Sequence, residues 1–94
     1  MTDVDPAFYD RADAHIHLSN EQANKIDAGK VSASMMYGTA RFNAWLTARG
    51  FDTGEQMNDA REEVVEYFCA QYRAMLEENL EDYANNFASY MSAE

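Results

Sequence analysis

The chain has 94 residues, 17 Asp and Glu against 7 Lys and Arg, and a formal net charge of −10; that length suits one modest domain. An apolar share of 47%, with 13% aromatic, excludes a disordered acidic tail, and the scarcity of bases excludes a clamp on nucleic-acid phosphates. The absence of any apolar run near the roughly 18–20 residues of a membrane span, an acidic start (MTDVDPAFYDRADAH) unlike an export signal, and the lone Cys69, which permits no internal disulfide or cysteine-based zinc site, together lead us to expect a cytoplasmic protein.

The first helix is expected to start at Asp5–Pro6, an N-cap acceptor followed by proline at the first helical position. Phe8, Ala12, His15, Ile16, Ser19, Ala23 and Ile26 then recur on one helical face, and Gly29 is expected to end the helix in a left-handed conformation. The second helix runs from about Ser32 to Arg49, before Gly50. It is apolar on two sides, with Val31, Met35, Phe42, Trp45 and Leu46 on one and Tyr37, Ala33, Ala40, Ala44 and Ala48 on the other. Such a helix is expected to be central or to line a dimer interface, with Gly38 admitting a neighbouring backbone. The third begins near Thr53, where Thr53 and Gln56 fit a capping box, with Asn58 as the alternative cap. No glycine or proline follows Gly54.

From Asn58 to Met91 the third helix would be about 50 Å long at a rise of ~1.5 Å, against about 33 and 27 Å for the first two. Either it breaks near Asn79 or Asn85–Asn86, or its apolar end (Leu80, Tyr83, Phe87, Tyr90, Met91) packs on a second copy; the exposed apolar surface favours the copy. The expected architecture is an all-α three-helix bundle, one domain over residues 1–94 with helices at about 6–28, 32–49 and 55–91. Charge divides unevenly along it. Residues 1–50 carry six acids and five bases, whereas residues 51–94 carry eleven acids and two bases. Asp59, Glu62, Glu63, Glu66, Glu77 and Glu81 lie opposite the stripe of Val64, Val65, Phe68, Tyr72, Met75 and Leu76, as a solvated face would.

Candidate chemistry is sparse. His17 aligns with Asp13 and Glu21 at i−4 and i+4, but a solvated polar stripe accounts for it better than a metal, and no Glu-x-x-His motif is present. Gly29, Gly38, Gly50 and Gly54 are isolated, so no phosphate loop exists, and no serine lies in a nucleophile elbow. No catalytic residue, metal site or cofactor is expected. Arg41 stands between Tyr37 and Trp45 on a helix almost free of charge, and a buried cation there would need a partner. Asn79, Asp82 and Asn86 interrupt the apolar stripe of the third helix. The expectation is a polar cluster joining Arg41 and Asn43 to Asp82 or Glu78, with Tyr37, Trp45, Tyr83 and Asn86 around it. Such a cluster fixes register or oligomer state, or alternatively binds a small ligand.

The segments FYDRADAHIHLSNEQ, GKVSASMMYGTARFNAW and EYFCAQYRAMLEENLEDYANNF resemble an uncharacterised family of small acidic bacterial proteins, domain of unknown function 3144. The resemblance covers nearly the whole chain. It implies an all-helical bacterial protein, with Tyr37, Arg41, Asn43, Asn79, Asp82 and Tyr83 in the family's motif, and supplies no activity. The functional expectation is a non-enzymatic interaction or regulatory module, homodimeric, whose acidic helix docks a basic partner protein. The alternatives are a small-ligand binder or enzyme at Arg41, Asn43 and Asp82, and a nucleic-acid mimic.

Overall fold

The structure, a computed structural model, describes residues 5–92. Those residues form five helices and no strand: α1 (Phe8–Ala23), α2 (Ala28–Ala48), α3 (Gly54–Asp59), α4 (Arg61–Asn85) and α5 (Phe87–Met91). The chain divides into two compact units, Met1–Leu46 and Thr47–Glu94. The all-α class stands. The long third segment, expected as one helix or one with a break near Asn79 or Asn85, is divided among α3, α4 and α5.

In the first unit, Asp5 opens α1 as an acceptor. Its carboxylate receives the Ala7 N–H at 3.1 Å, its carbonyl receives the Phe8 N–H at 3.0 Å, and regular helix follows from Phe8. The Arg11 guanidinium donates to both carboxylate oxygens, at 3.0 and 2.8 Å. This paired hydrogen bond from Arg11, aided by the Ala7 N–H and the guanidinium charge, pulls the Asp5 carboxyl from 3.8 to about 2. Both side chains are more than half exposed, so the bridge orders the turn more than it stabilises the fold. Because the folded pKa lies below the unfolded one, its contribution is present above about 3.8 and fades as pH falls towards 2. A carbon-detected NMR titration should place the Asp5 midpoint near 2, with Arg11→Gln returning it towards 3.8. An ordinary midpoint in the unmodified chain would contradict the bridge.

The expected left-handed end at Gly29 is corrected. No described glycine has positive φ, and Gly29 lies in the first turn of α2. The element is started by Asp27, whose side chain accepts the Gly29 N–H at 3.1 Å while its carbonyl accepts from Lys30 and Val31. A Cβ on Gly29 would stand 3.0 Å from that carboxylate oxygen. The glycine therefore makes room for a capping side chain and does not supply an unusual backbone angle. Half-buried Phe8, Ala12 and Ser19 trace the inner stripe of α1, whereas Ile16 and Ile26, expected on it, are about half exposed.

Burial within α2 is slight. Val31 is the buried hydrophobic among the described residues, while Met35, Tyr37, Phe42, Trp45 and Leu46 are exposed. Apart from Val31, the apolar side chains on the two sides of this helix are exposed. No neighbouring backbone meets Gly38 either, since a Cβ there would find nothing within 4 Å.

In the second unit Thr53 caps α3 as expected. Its hydroxyl accepts the Gln56 N–H at 3.1 Å, and the Gln56 side chain accepts in return from the Asp52 N–H at 3.0 Å, a reciprocal pair worth roughly 1 kcal/mol. Asn58 is not the cap of α4. That position belongs to Ala60, and the Asn58 side chain accepts instead from the Arg61 guanidinium at 3.1 and 2.7 Å. Half-buried Phe51, Met57, Ala60, Val64 and Phe68 form the apolar centre of this end. Farther along α4, Val65, Tyr72, Met75 and Leu76 of the expected stripe are exposed.

Candidate functional site

The expected site residues fall into two groups. Tyr37, Arg41, Asn43 and Trp45 lie on α2 in the first unit, and Asn79, Asp82, Tyr83 and Asn86 lie at the end of α4 in the second. Arg41 is exposed, so the burial that made a partner obligatory does not arise. Tyr37 is also exposed, and the Trp45 ring meets Phe42 at 5.4 Å with planes 48° apart.

Asn43 is half-buried at the edge of an open groove of about 550 Å³ between α1 and α2. His15, Ser19, Met35, Gly38 and Phe42 help to line it, and its walls are mainly apolar. The Ser19 hydroxyl lies 3.0 Å from the His15 carbonyl and 3.5 Å from the Met35 sulfur, so part of the polar lining is already used between the two helices. The groove falls within the size range of small-molecule sites, yet Tyr37 and Trp45 do not line it.

The α4 group is brought together more closely. Asn79 turns back on its own helix and donates to the Met75 carbonyl at 2.8 Å. Asn86 donates to the carbonyl and the Oδ1 of Asp82, both at 3.0 Å, and the Tyr90 hydroxyl donates to Asp82 Oδ2 at 2.7 Å. Tyr90 also stacks on Tyr83, with ring centres 4.3 Å apart and planes 26° apart. The hydrogen bond to Asp82, and then the carboxylate's charge, raise the Tyr90 phenol above its ordinary value of 10. With both carboxylate oxygens engaged, Asp82 serves as a hydrogen-bond hub. The sequence pattern places Tyr90 only with the apolar end of the helix. Its signal is spacing: four residues after a helix-interrupting Asn86 and seven after Tyr83.

The third feature is the acidic face. Glu62, Glu63, Glu66, Glu77 and Glu81 are exposed on α4. At 100° per residue they fall within an arc of about 100°, along about 28 Å of helix. Arg73 lies between them and pairs with Glu77 at 3.1 Å. Among the described residues no three His, Cys, Asp or Glu side chains gather as a metal site would require, and no helix is long and apolar enough to cross a membrane.

Residues 8–84 match a protein family described as "Protein of unknown function (DUF3144)". The NMR structure of the protein NB7890A from Shewanella sp is similar: it is 41% identical, the match covers 97% of each chain, and the TM-score is 0.79. No curated protein matches the chain.

Proposed function

The chain belongs to the DUF3144 family of proteins of unknown function, and from that premise we propose that it is a non-enzymatic interaction module, a homodimeric helical bundle of the cytoplasm that docks a basic partner protein. The observation that supports this reading is the stripe of five glutamates on one face of α4, exposed along its length. Carboxylates so arranged offer a long complement to a Lys- and Arg-rich surface, and their field speeds and orients encounter more than it adds affinity. A second reading, a small-ligand binder, draws on the groove beside Asn43.

Salt and charge neutralisation test the first reading together. Capture from the native lysate should recover a basic protein at about 0.1 M salt and lose it near 1 M, where the screening length falls from about 10 to about 3 Å. The variant E62Q/E63Q/E66Q/E77Q/E81Q, checked for helix content by circular dichroism, should bind that protein at least roughly tenfold more weakly, the loss of one or two charged contacts' worth of energy. A partner held equally by both forms, or indifferent to salt, would sink the acidic-docking reading.

A further inference from the structure

The junction between α4 and α5 is made by one residue. Asn86 has φ −124° and ψ 31°, helix resumes at Phe87, and neither glycine nor proline is involved. The Asn86 N–H still reaches the Asp82 carbonyl at 3.1 Å, and the Tyr90 N–H reaches the Asn86 carbonyl at 3.0 Å. A rotation at Asn86 alone therefore separates this arrangement from one continuous helix.

The contacts of Tyr90 distinguish those two arrangements. In a straight helix Asp82 and Tyr90 would be about 12 Å apart along the axis and 80° apart around it, and Tyr83 and Tyr90 about 10.5 Å apart along it. Side chains on a helix lean the same way, towards its N-terminus, so leaning closes neither gap. The 2.7 Å bond from Tyr90 to Asp82 and the 4.3 Å stack on Tyr83 belong to the bent form. The Asn86 amide also donates to the carbonyl and the carboxylate of Asp82, but the like bond from Asn79 to the Met75 carbonyl leaves α4 unbroken, so the contacts of Tyr90 are what mark the bend.

We propose that α5 is a latch: Tyr90, closed on Asp82 and Tyr83, holds the bend at Asn86, and its release makes Arg61–Met91 a single helix. The two forms present different surfaces. In the straight form Leu76, Leu80, Tyr83, Phe87 and Tyr90 follow each other at spacings of four, three, four and three, an unbroken heptad seam. In the bent form the two tyrosines face each other and the seam stops at Leu80. The latch thus sets how long an apolar seam the acidic helix offers, and any binder that prefers the longer seam shifts the population towards it.

NMR of the full chain decides this. The unmodified protein should show contacts between the Tyr83 and Tyr90 rings and, at Asn86, the large amide-to-α coupling of a φ near −120°. In Tyr90→Ala the coupling should fall to a helical value, with helical i to i+3 contacts running unbroken from Tyr83 to Ser89. Tyr90→Phe, which keeps the ring and loses the hydroxyl, should lie between. A helical coupling at Asn86 in the unmodified chain overturns the latch, as does a bend unchanged in Tyr90→Ala. Loss of helix over Phe87–Met91 in Tyr90→Ala also overturns it, since Tyr90 would then be holding helix and not a bend.

Discussion

Replacing Val31 with aspartate should unfold the α1–α2 pair. Val31 is 5% exposed and is the buried hydrophobic among the described residues. It sits in the first turn of α2, where its N–H bonds to the Asp27 carbonyl and its own carbonyl receives the Ser34 hydroxyl at 3.2 Å. Full burial of a valine is worth about 1.5–3 kcal/mol. An aspartate in its place loses that term and adds the desolvation of an unpaired charge, for a total of several kcal/mol. It also stands four residues from Asp27, a like-charge pair on one helical face. Against the roughly 5–15 kcal/mol that holds ordinary domains, this loss is severe. Val31→Ala should cost only about 1.5 kcal/mol, two methylene equivalents at about 0.8 each. Circular dichroism should show most of the helix signal of Phe8–Ala48 lost in the aspartate variant and kept in the alanine one. Equal melting of the two would mean that Val31 does not hold this unit together.

The midpoint of thermal unfolding should rise with protein concentration. The helices leave Phe42 and Trp45 on α2 and Val65, Tyr72 and Leu80 on α4 about half exposed or more, and large apolar patches of this kind mark contact surfaces. If a second copy covers them, as proposed, folding and association are one equilibrium. Each tenfold rise in concentration then adds about 1.4 kcal/mol per dimer, which against the unfolding entropy of two chains moves the midpoint by roughly 3–5 °C. Scans across a hundredfold range, paired with a mass measurement by light scattering, check it. A midpoint that stays put, with the mass of one chain throughout, would remove the homodimer from the functional reading.

Local chemistry was the most legible part of this fold. The Thr53–Gln56 pair lies within one turn, so residue types and spacing suffice to place it, and the same holds for the Asp5 carboxylate before Pro6. Gly29 misled because glycine at a helix end has two uses. Only the position of the Asp27 carboxylate, 3.1 Å from the Gly29 N–H, separates room for a cap from a left-handed turn. The breaks at Ala60 and Asn86 carry no glycine or proline. The break at Asn86 falls at one of the places expected for it, whereas no polar side chain at Ala60 announces the other. At the candidate site, Asn79, Asp82 and Asn86 are marked by interruption of an apolar stripe. The role of Tyr90 is not legible in the sequence, because an aromatic ring in such a stripe reads as packing until its hydroxyl is located. The case for Arg41 rested on expected burial, and its exposure removes that premise.

The joint at Asn86 is read from side chains. No described residue has a positive φ, so no junction depends on a backbone shape that only glycine reaches. A glycine joint persists whatever surrounds it, whereas a joint held by side chains, as proposed for Asn86, lasts only while those side chains do. Helix length at this end is then a matter of point substitution: losing Tyr90 would fuse α4 and α5 into one segment. On that proposal, a relative lacking the tyrosine would carry one longer, straight helix where this chain bends.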